Sequence, residues 1–333
     1  MWDVAEIVVG IGSSHSPQLS SGVEWWENHA ERDRNNPELL GKDGGFHSYA
    51  ELLAGADPGI ARELTAEVWE QKDHRGQEAV EELTRRLAKA RVDVVLVLGD
   101  DQHEMFRDGA IPVFGFYLGD ELYDEPPGAE RRRNVAEGIQ AAYWARYGEG
   151  QTVHRTSGPL TGHIVEELVT ADFDVLTFDR QNPDTTLGHA FTFPRYRLAL
   201  PEQTPIVPVF INTYVPPNVP SAERCYRLGQ ALARAVGSWP EDIRVGIIAS
   251  GGLSHFVIDE ELDRRVLDAL VAGDPQPLTT IPRALMRSGT SEILNWIAAA
   301  GALEGLSATV VDYVPAYRSP AGTGTGMAFV YWE

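Results

Sequence analysis

Three histidines stand at equivalent places in the chain, each just after an apolar run and a Gly- or Ser-containing turn. The run Val94–Leu98 ends at Gly99 and passes into Asp100-Asp101-Gln102-His103-Glu104. Glu6–Ile11 runs into Gly12-Ser13-Ser14-His15, and Ile243–Ala249 into Ser250-Gly251-Gly252-Leu253-Ser254-His255. Continuous β-branched runs are the pattern of strands buried on both faces of a sheet. Polar clusters at the carboxyl ends of such strands are where α/β proteins build sites. If the three strands are neighbours, the imidazoles converge on one sheet edge. Two of them then ligate a divalent metal and one is left for proton transfer. A carboxylate completes a 2-His-1-carboxylate set, which keeps coordination positions open and is diagnostic of non-haem Fe(II) oxygen chemistry. Asp100, Asp101, Glu104 and Glu292 are the candidates. Taken one at a time, the acidic cluster also reads as a solvated loop, and Glu292 as a first-turn carboxylate facing a helix dipole.

The elements that must position these groups are those of one α/β domain over residues 1–333. The expectation is a central mixed β-sheet flanked by helices, with the active site at the strand carboxyl ends. Helices are expected over 58–90, 130–147, 160–169, 222–236, 259–272 and 288–300. Strands are expected at 6–11, 94–98, 111–117, 174–178, 206–211, 243–249, 308–313 and 327–332. Residues 20–58, with Trp25 and Trp26, read as an excursion of loops and short helices over the site, with His29 and His47 on its rim. Residues 182–197 show no period and read as a loop, as do the linker 274–280 and the Pro/Gly-rich 315–326.

Bulk composition narrows the function classes. The 333 residues carry a net charge of −21, which opposes nucleic-acid backbones and anionic membrane surfaces. Apolar residues make up 43% of the chain and charged residues 23%, as in an ordinary globular protein. The single cysteine, Cys225, excludes an internal disulfide and a Cys-rich zinc site, and fits a reducing cytoplasm. No apolar run is long enough to span a bilayer. No Gly-rich loop followed by Lys marks a phosphate site.

The segments IGSSHSP, LGDDQH, SGGLSH and SEILNWIAAAGAL, in that order, resemble the signature segments of class III extradiol ring-cleaving dioxygenases. These are the homologues of the β subunit of protocatechuate 4,5-dioxygenase. PIVPVFINTYVPP and GTGMAFVYW are similar to that family as well, so the likeness runs over essentially the whole chain. It implies Fe(II) held by His15, His103 and Glu292, with His255 as the acid–base residue. It also implies a substrate-pocket histidine, His189 in LGHAF. A catechol that binds iron through both oxygens must lose a proton, and an imidazole titrates in the range that this needs. Asp100 or Asp101 is expected to orient a ligand imidazole. Arg195, Arg180 or Tyr214 is expected to meet a ring carboxylate. The Trp-bearing segment after His15 is similar to the stand-alone branch that acts on 3-O-methylgallate and gallate. The expected partners are a small aromatic diol or triol acid and O2, in a homo-oligomer, with no nucleic acid or membrane. Two other readings stay open: a Zn or Mn hydrolase using the same cluster, and a non-catalytic interaction module of this fold.

Overall fold

The computed structural model describes residues 4–107 and 110–333. Among them, nine strands form one sheet: β1 (Glu6–Ser13), β2 (Val94–Gly99), β3 (Phe114–Tyr117), β4 (Leu176–Phe178), β5 (Ile206–Ile211), β6 (Arg244–Ser250), β7 (His255–Val257), β8 (Ala308–Tyr317) and β9 (Thr323–Trp332). The order is β7-β9-β1-β6-β2-β5-β3-β4, with β8 paired along the opposite edge of β9. Neighbours β1, β6, β2 and β5 are mutually parallel, whereas β3, β7 and β9 run antiparallel to their neighbours β5, β9 and β1. The sheet is therefore mixed, and its parallel centre sends four strand ends to one edge.

Both faces are covered, as the apolar runs require. Val94, Leu96 and Leu98 belong to one core cluster, and Val95 and Val97 to the other. Such alternation places successive side chains on opposite faces. The principal helices are α1 (Trp26–Asp33), α2 (Ala66–Ala90), α3 (Gly158–Thr170), α4 (His189–Arg197), α5 (Ala222–Gly237), α6 (Glu260–Ala272) and α7 (Ile293–Ala302). Side-chain caps begin several of them: Thr65 accepts from Val68 N–H, Ser221 from Arg224 N–H and Asp259 from Leu262 N–H. None is long and apolar enough to cross a membrane.

Four expectations are corrected. The span 130–147 is not one helix; it breaks into Ala129–Arg132, Glu137–Ala141 and a 3-10 turn at Tyr143–Ala145. The Gln140 amide caps the Arg132 and Val135 carbonyls at the break. Within 182–197, residues His189–Arg197 form α4, and His189–Pro194 are all buried. A helix buried all round shows no 3.6-residue period, so periodicity missed it. The linker 274–280 holds a short helix, Pro275–Thr279, capped by Asp274. The stretch 315–326 is mostly strand: Pro315 pairs with Gly326, and Tyr317 with Gly324. Its glycines mark close backbone approach rather than a loop, since a Cβ on Gly326 would lie 2.0 Å from Asp263 Oδ2.

Helix α7, which carries the candidate carboxylate at its start, is seated by glycines. A Cβ on Gly229 of α5 would lie 1.9 Å from the Ala298 carbonyl oxygen and 2.6 Å from Ala302 N. Alanine is favoured over glycine by about 1 kcal/mol in a helix interior. Here the clash is with backbone, which cannot rotate away, and overpacking costs about 1–3 kcal/mol. Gly229→Ala is therefore expected to lower the urea midpoint at unchanged m-value. A midpoint at or above wild type would show that the two helices do not need this contact.

Candidate metal centre

Strand β1 continues through Ser14 to His15, which is buried. Its Nδ1 lies 3.0 Å from Ser250 Oγ at the end of β6, so Nε2 is left toward the cavity, 3.4 Å from Glu292 Oε2. Burial lowers the His15 pKa to about 4, against the pull of Glu292. The imidazole is thus neutral at pH 7, the state in which it binds a metal.

Strand β2 ends at Gly99, and Asp100 follows with no exposed surface. Its Oδ1 is buried without a hydrogen-bond partner, and Oδ2 accepts from Gln102 Nε2 at 3.2 Å. Burial, and then the charge of Glu292, push its pKa well up. Glu292 closes the 3-10 turn Ser288–Glu292 and is the N-cap residue of α7. Its Oε2 accepts from Gly252 N–H at 2.6 Å, and its Oε1 accepts from Gln102 Nε2 at 3.3 Å. Burial opposes its charge, but His255 and His15 outweigh that and hold its pKa well below the usual carboxylate range. The backbone reaches this carboxylate because Gly251 adopts φ +104°; a Cβ there would sit 2.3 Å from Glu292 Oε2.

One ligand atom from each of His15, Asp100 and Glu292 lies within 4.8 Å of the others. Two buried carboxylates this close repel one another unless a positive group stands between them. The Gln102 amide N–H group, which donates to both, occupies part of that role.

His255 opens β7. Its Nδ1–H donates to the Leu253 carbonyl at 2.9 Å, and its Nε2 lies 3.5 Å from Glu292 Oε1. Burial works against the charged ring, yet Glu292 and the Leu253 carbonyl together raise its pKa above the ordinary value. Thr290 fixes the backbone on both sides, accepting from His255 N–H and donating to its carbonyl. His189 begins α4 and stands edge-on to His15, with ring centroids 4.6 Å apart. Its Nδ1 is 2.8 Å from Glu104 Oε1. Burial disfavours the Glu104 charge, but His189 prevails and lowers the Glu104 pKa to about 2.

His15, His189, His255 and Glu292 line a cavity of about 370 Å³ with Gln102, Tyr214, Arg32, Arg146 and Arg318 among its walls. The excursion after β1 contributes His29 and Arg32. His29 is buried and bonded to Ser21 Oγ, and His47 pairs with Asp43 away from the cavity. The Arg318 guanidinium grips Asp33 of α1 at 2.7 and 2.8 Å, holding the excursion against the β8–β9 turn.

The structure does not bring His103 to this cluster. His103 is exposed, has φ 60°, and lines a different cavity with Glu104 and Arg107. The cause is the turn after β2, where Asp101 accepts from Met105 N–H at 2.7 Å and from Phe106 N–H at 3.1 Å. That turn directs Gln102 inward and His103 outward. Asp101 thus caps a turn rather than orienting an imidazole, and the partner of His15 is Ser250. Arg195 is also elsewhere: its guanidinium donates to the Leu200, Pro201 and Thr204 carbonyls. Arg180 is exposed. Tyr214 does line the cavity, its hydroxyl donating to Glu38 Oε2 at 2.5 Å. Sequence reasoning missed Gln102, Arg32 and Arg146. None stands beside a recognisable motif except Gln102, which lies one residue before the histidine that drew attention.

A family model described as the catalytic LigB subunit of aromatic ring-opening dioxygenase matches residues 64–329. The chain is 39% identical over 180 residues to a gallate dioxygenase of Pseudomonas putida, covering 50% of each protein. It is 33% identical over 118 residues to a 2,3-dihydroxyphenylpropionate/2,3-dihydroxicinnamic acid 1,2-dioxygenase of Burkholderia vietnamiensis, covering 34% of this chain and 35% of that one. A protein of the same description from Paraburkholderia phymatum is 40% identical over 118 residues. The match thus spans about half the length of the first relative and about a third of the others.

Proposed function

Since the chain belongs to the LigB family of catalytic subunits of aromatic ring-opening dioxygenases, we propose that it opens the ring of a vicinal-diol aromatic acid of the gallate type with both atoms of O2. The observation that carries this reading is the buried His15, Asp100 and Glu292 cluster at the carboxyl edge of the sheet. The donor set fits a divalent cation: a neutral imidazole and two buried carboxyl groups, of which Asp100 has an oxygen without a hydrogen-bond partner. We assign iron(II) to these three residues, with Gln102 beside them and His103 left out. Bound there, the metal would supply a common attachment point for diol and dioxygen and stabilise charge on their oxygens. Two carboxylates and one imidazole are a harder set than the expected two imidazoles and one carboxylate, so manganese belongs in the metal assay.

The protein's own groups handle protons and orientation. His255 Nε2 faces the cluster while its Nδ1–H is tied to a carbonyl, so in the neutral ring Nε2 is the free acceptor. It takes a proton from a diol hydroxyl and later returns one. His189 is fixed in the same way by Glu104 and presents its other nitrogen toward the cavity. The cavity volume suits a single substituted ring.

The reading is tested by loading anaerobically purified protein with Fe(II), and separately with Mn(II). Gallate, 3-O-methylgallate and protocatechuate are then supplied with O2. One O2 consumed per ring opened is the expected result for at least one acid. Fully metallated protein that consumes no O2 with any of them would refute the assignment, and hydrolysis of an ester without O2 would favour a metallohydrolase.

A further inference from the structure

The cavity walls carry three arginines and one carboxylate, Glu292. Of its three arginines, Arg318 is paired with buried Asp33. Arg146 and Arg32 form no ion pair or side-chain hydrogen bond among the described residues, and Arg146 Nε is buried without a partner. This occurs in a chain with 49 acidic and 28 basic residues, where a surface carboxylate is the ordinary neighbour of an arginine. The three guanidiniums are close enough to act on one another. Burial, and then the charge of Arg318, lower the Arg32 pKa; Asp33 opposes them in part, and Arg146 adds to the lowering. The field of Arg146 also reaches His15 and Glu104, so it acts at the depth of the metal cluster.

We propose that Arg146 and Arg32 form the receptor for a carboxylate on the ring substrate, in the cavity that His15 and Glu292 of the metal cluster line. This rests on the single-ring reading above and adds the residues that select the acid. A carboxylate is planar and matches the guanidinium fork through paired N–H···O bonds. Its charge compensates the two arginines and leaves the diol end free for the cluster. Arg195, the candidate from sequence, is held by three backbone carbonyls and has no role here.

The test measures binding without turnover. Gallate, methyl gallate and pyrogallol are titrated anaerobically by calorimetry into metal-loaded and metal-free protein. Charge-assisted hydrogen bonds predict that wild type binds gallate about 10–100-fold more tightly than the ester or the unsubstituted triol. Arg146→Met is expected to shrink that ratio about tenfold, and Arg146→Met with Arg32→Met to bring it near unity. Arg146→Lys, which keeps the charge and loses the fork, falls between. The ratio is the readout because a distorted cavity weakens all three probes alike. A wild-type ratio in the double variant, or no preference in wild type, overturns the proposal. An intact arginine-dependent ratio with no O2 consumption defeats only the dioxygenase reading. Turnover of acid and ester with equal efficiency defeats only the carboxylate receptor.

Discussion

Glu292→Gln is expected to release the metal from the protein while leaving the fold in place. The side chain is nearly the same size, and its amide oxygen can still accept from Gly252 N–H, the 2.6 Å bond that holds the carboxylate now. What disappears is the negative charge, which His15 and His255 stabilise in a site shielded from water. Residues that merely orient a metal ligand cost about 10–100-fold in metal affinity when removed, so loss of a direct carboxylate is expected to cost at least about 100-fold. Ring opening should fall with it by about three orders of magnitude, the several kcal/mol that a Lewis-acidic metal contributes. Metal content after dialysis, measured beside the far-UV spectrum and the melting temperature, checks both halves. Native-like protein with wild-type metal affinity would remove Glu292 from the set. His15→Ala and Asp100→Asn are expected to behave alike, and His103→Ala is expected to keep its metal.

The second large effect is expected at His255. His255→Ala should retain the metal, because His255 Nε2 stands beside Glu292 Oε1 and outside the three-residue cluster. Turnover should fall by about 10²–10⁴-fold, the usual contribution of a positioned general acid–base. The loss should appear in kcat more than in KM, since the ring moves a proton and does not carry the substrate's weight. Wild-type kcat would eliminate the proton-transfer role. Loss of metal in this variant, with the fold intact, would instead make His255 a ligand. His189→Ala provides the contrast: its ring is held by Glu104 against His15, so its loss disturbs a wall of the cavity as well as a proton acceptor.

The residue sequence by itself determined the scaffold. Val94–Leu98, Ile206–Ile211 and Val245–Ala249 are apolar on both faces, and no other arrangement buries such runs as well as the centre of a parallel sheet. That placed Asp100 and the Ser250–His255 segment at strand carboxyl ends, as Glu6–Ile11 did for His15, and the sheet order then set β1, β6 and β2 side by side. The histidine and carboxylate candidates after the strands admitted a metal site, and the resemblance of the ordered segments to class III extradiol dioxygenases implied oxygen chemistry on aromatic rings. Tertiary structure decided which side chains face inward. At the end of β2, Gln102 and His103 are adjacent in sequence, and the direction of each depends on a left-handed backbone and on two N–H bonds to Asp101. No periodicity reports that choice. Asp100 stands out among the four carboxylate candidates because it meets Glu292, which comes from a helix start 192 residues further along, seated by the glycines of α5 and α7. Arg146 lies in a segment whose helical pattern is broken by a side-chain cap, and Arg32 is brought in by the ion pair between Asp33 and Arg318. Arg195 is as basic as either, yet carbonyl oxygens nearby in sequence hold it away from the cavity. Strand burial is a property of local composition and can be read from it. The inward turn of one side chain is set by contacts between residues far apart in the chain, and it exists only once the fold has formed.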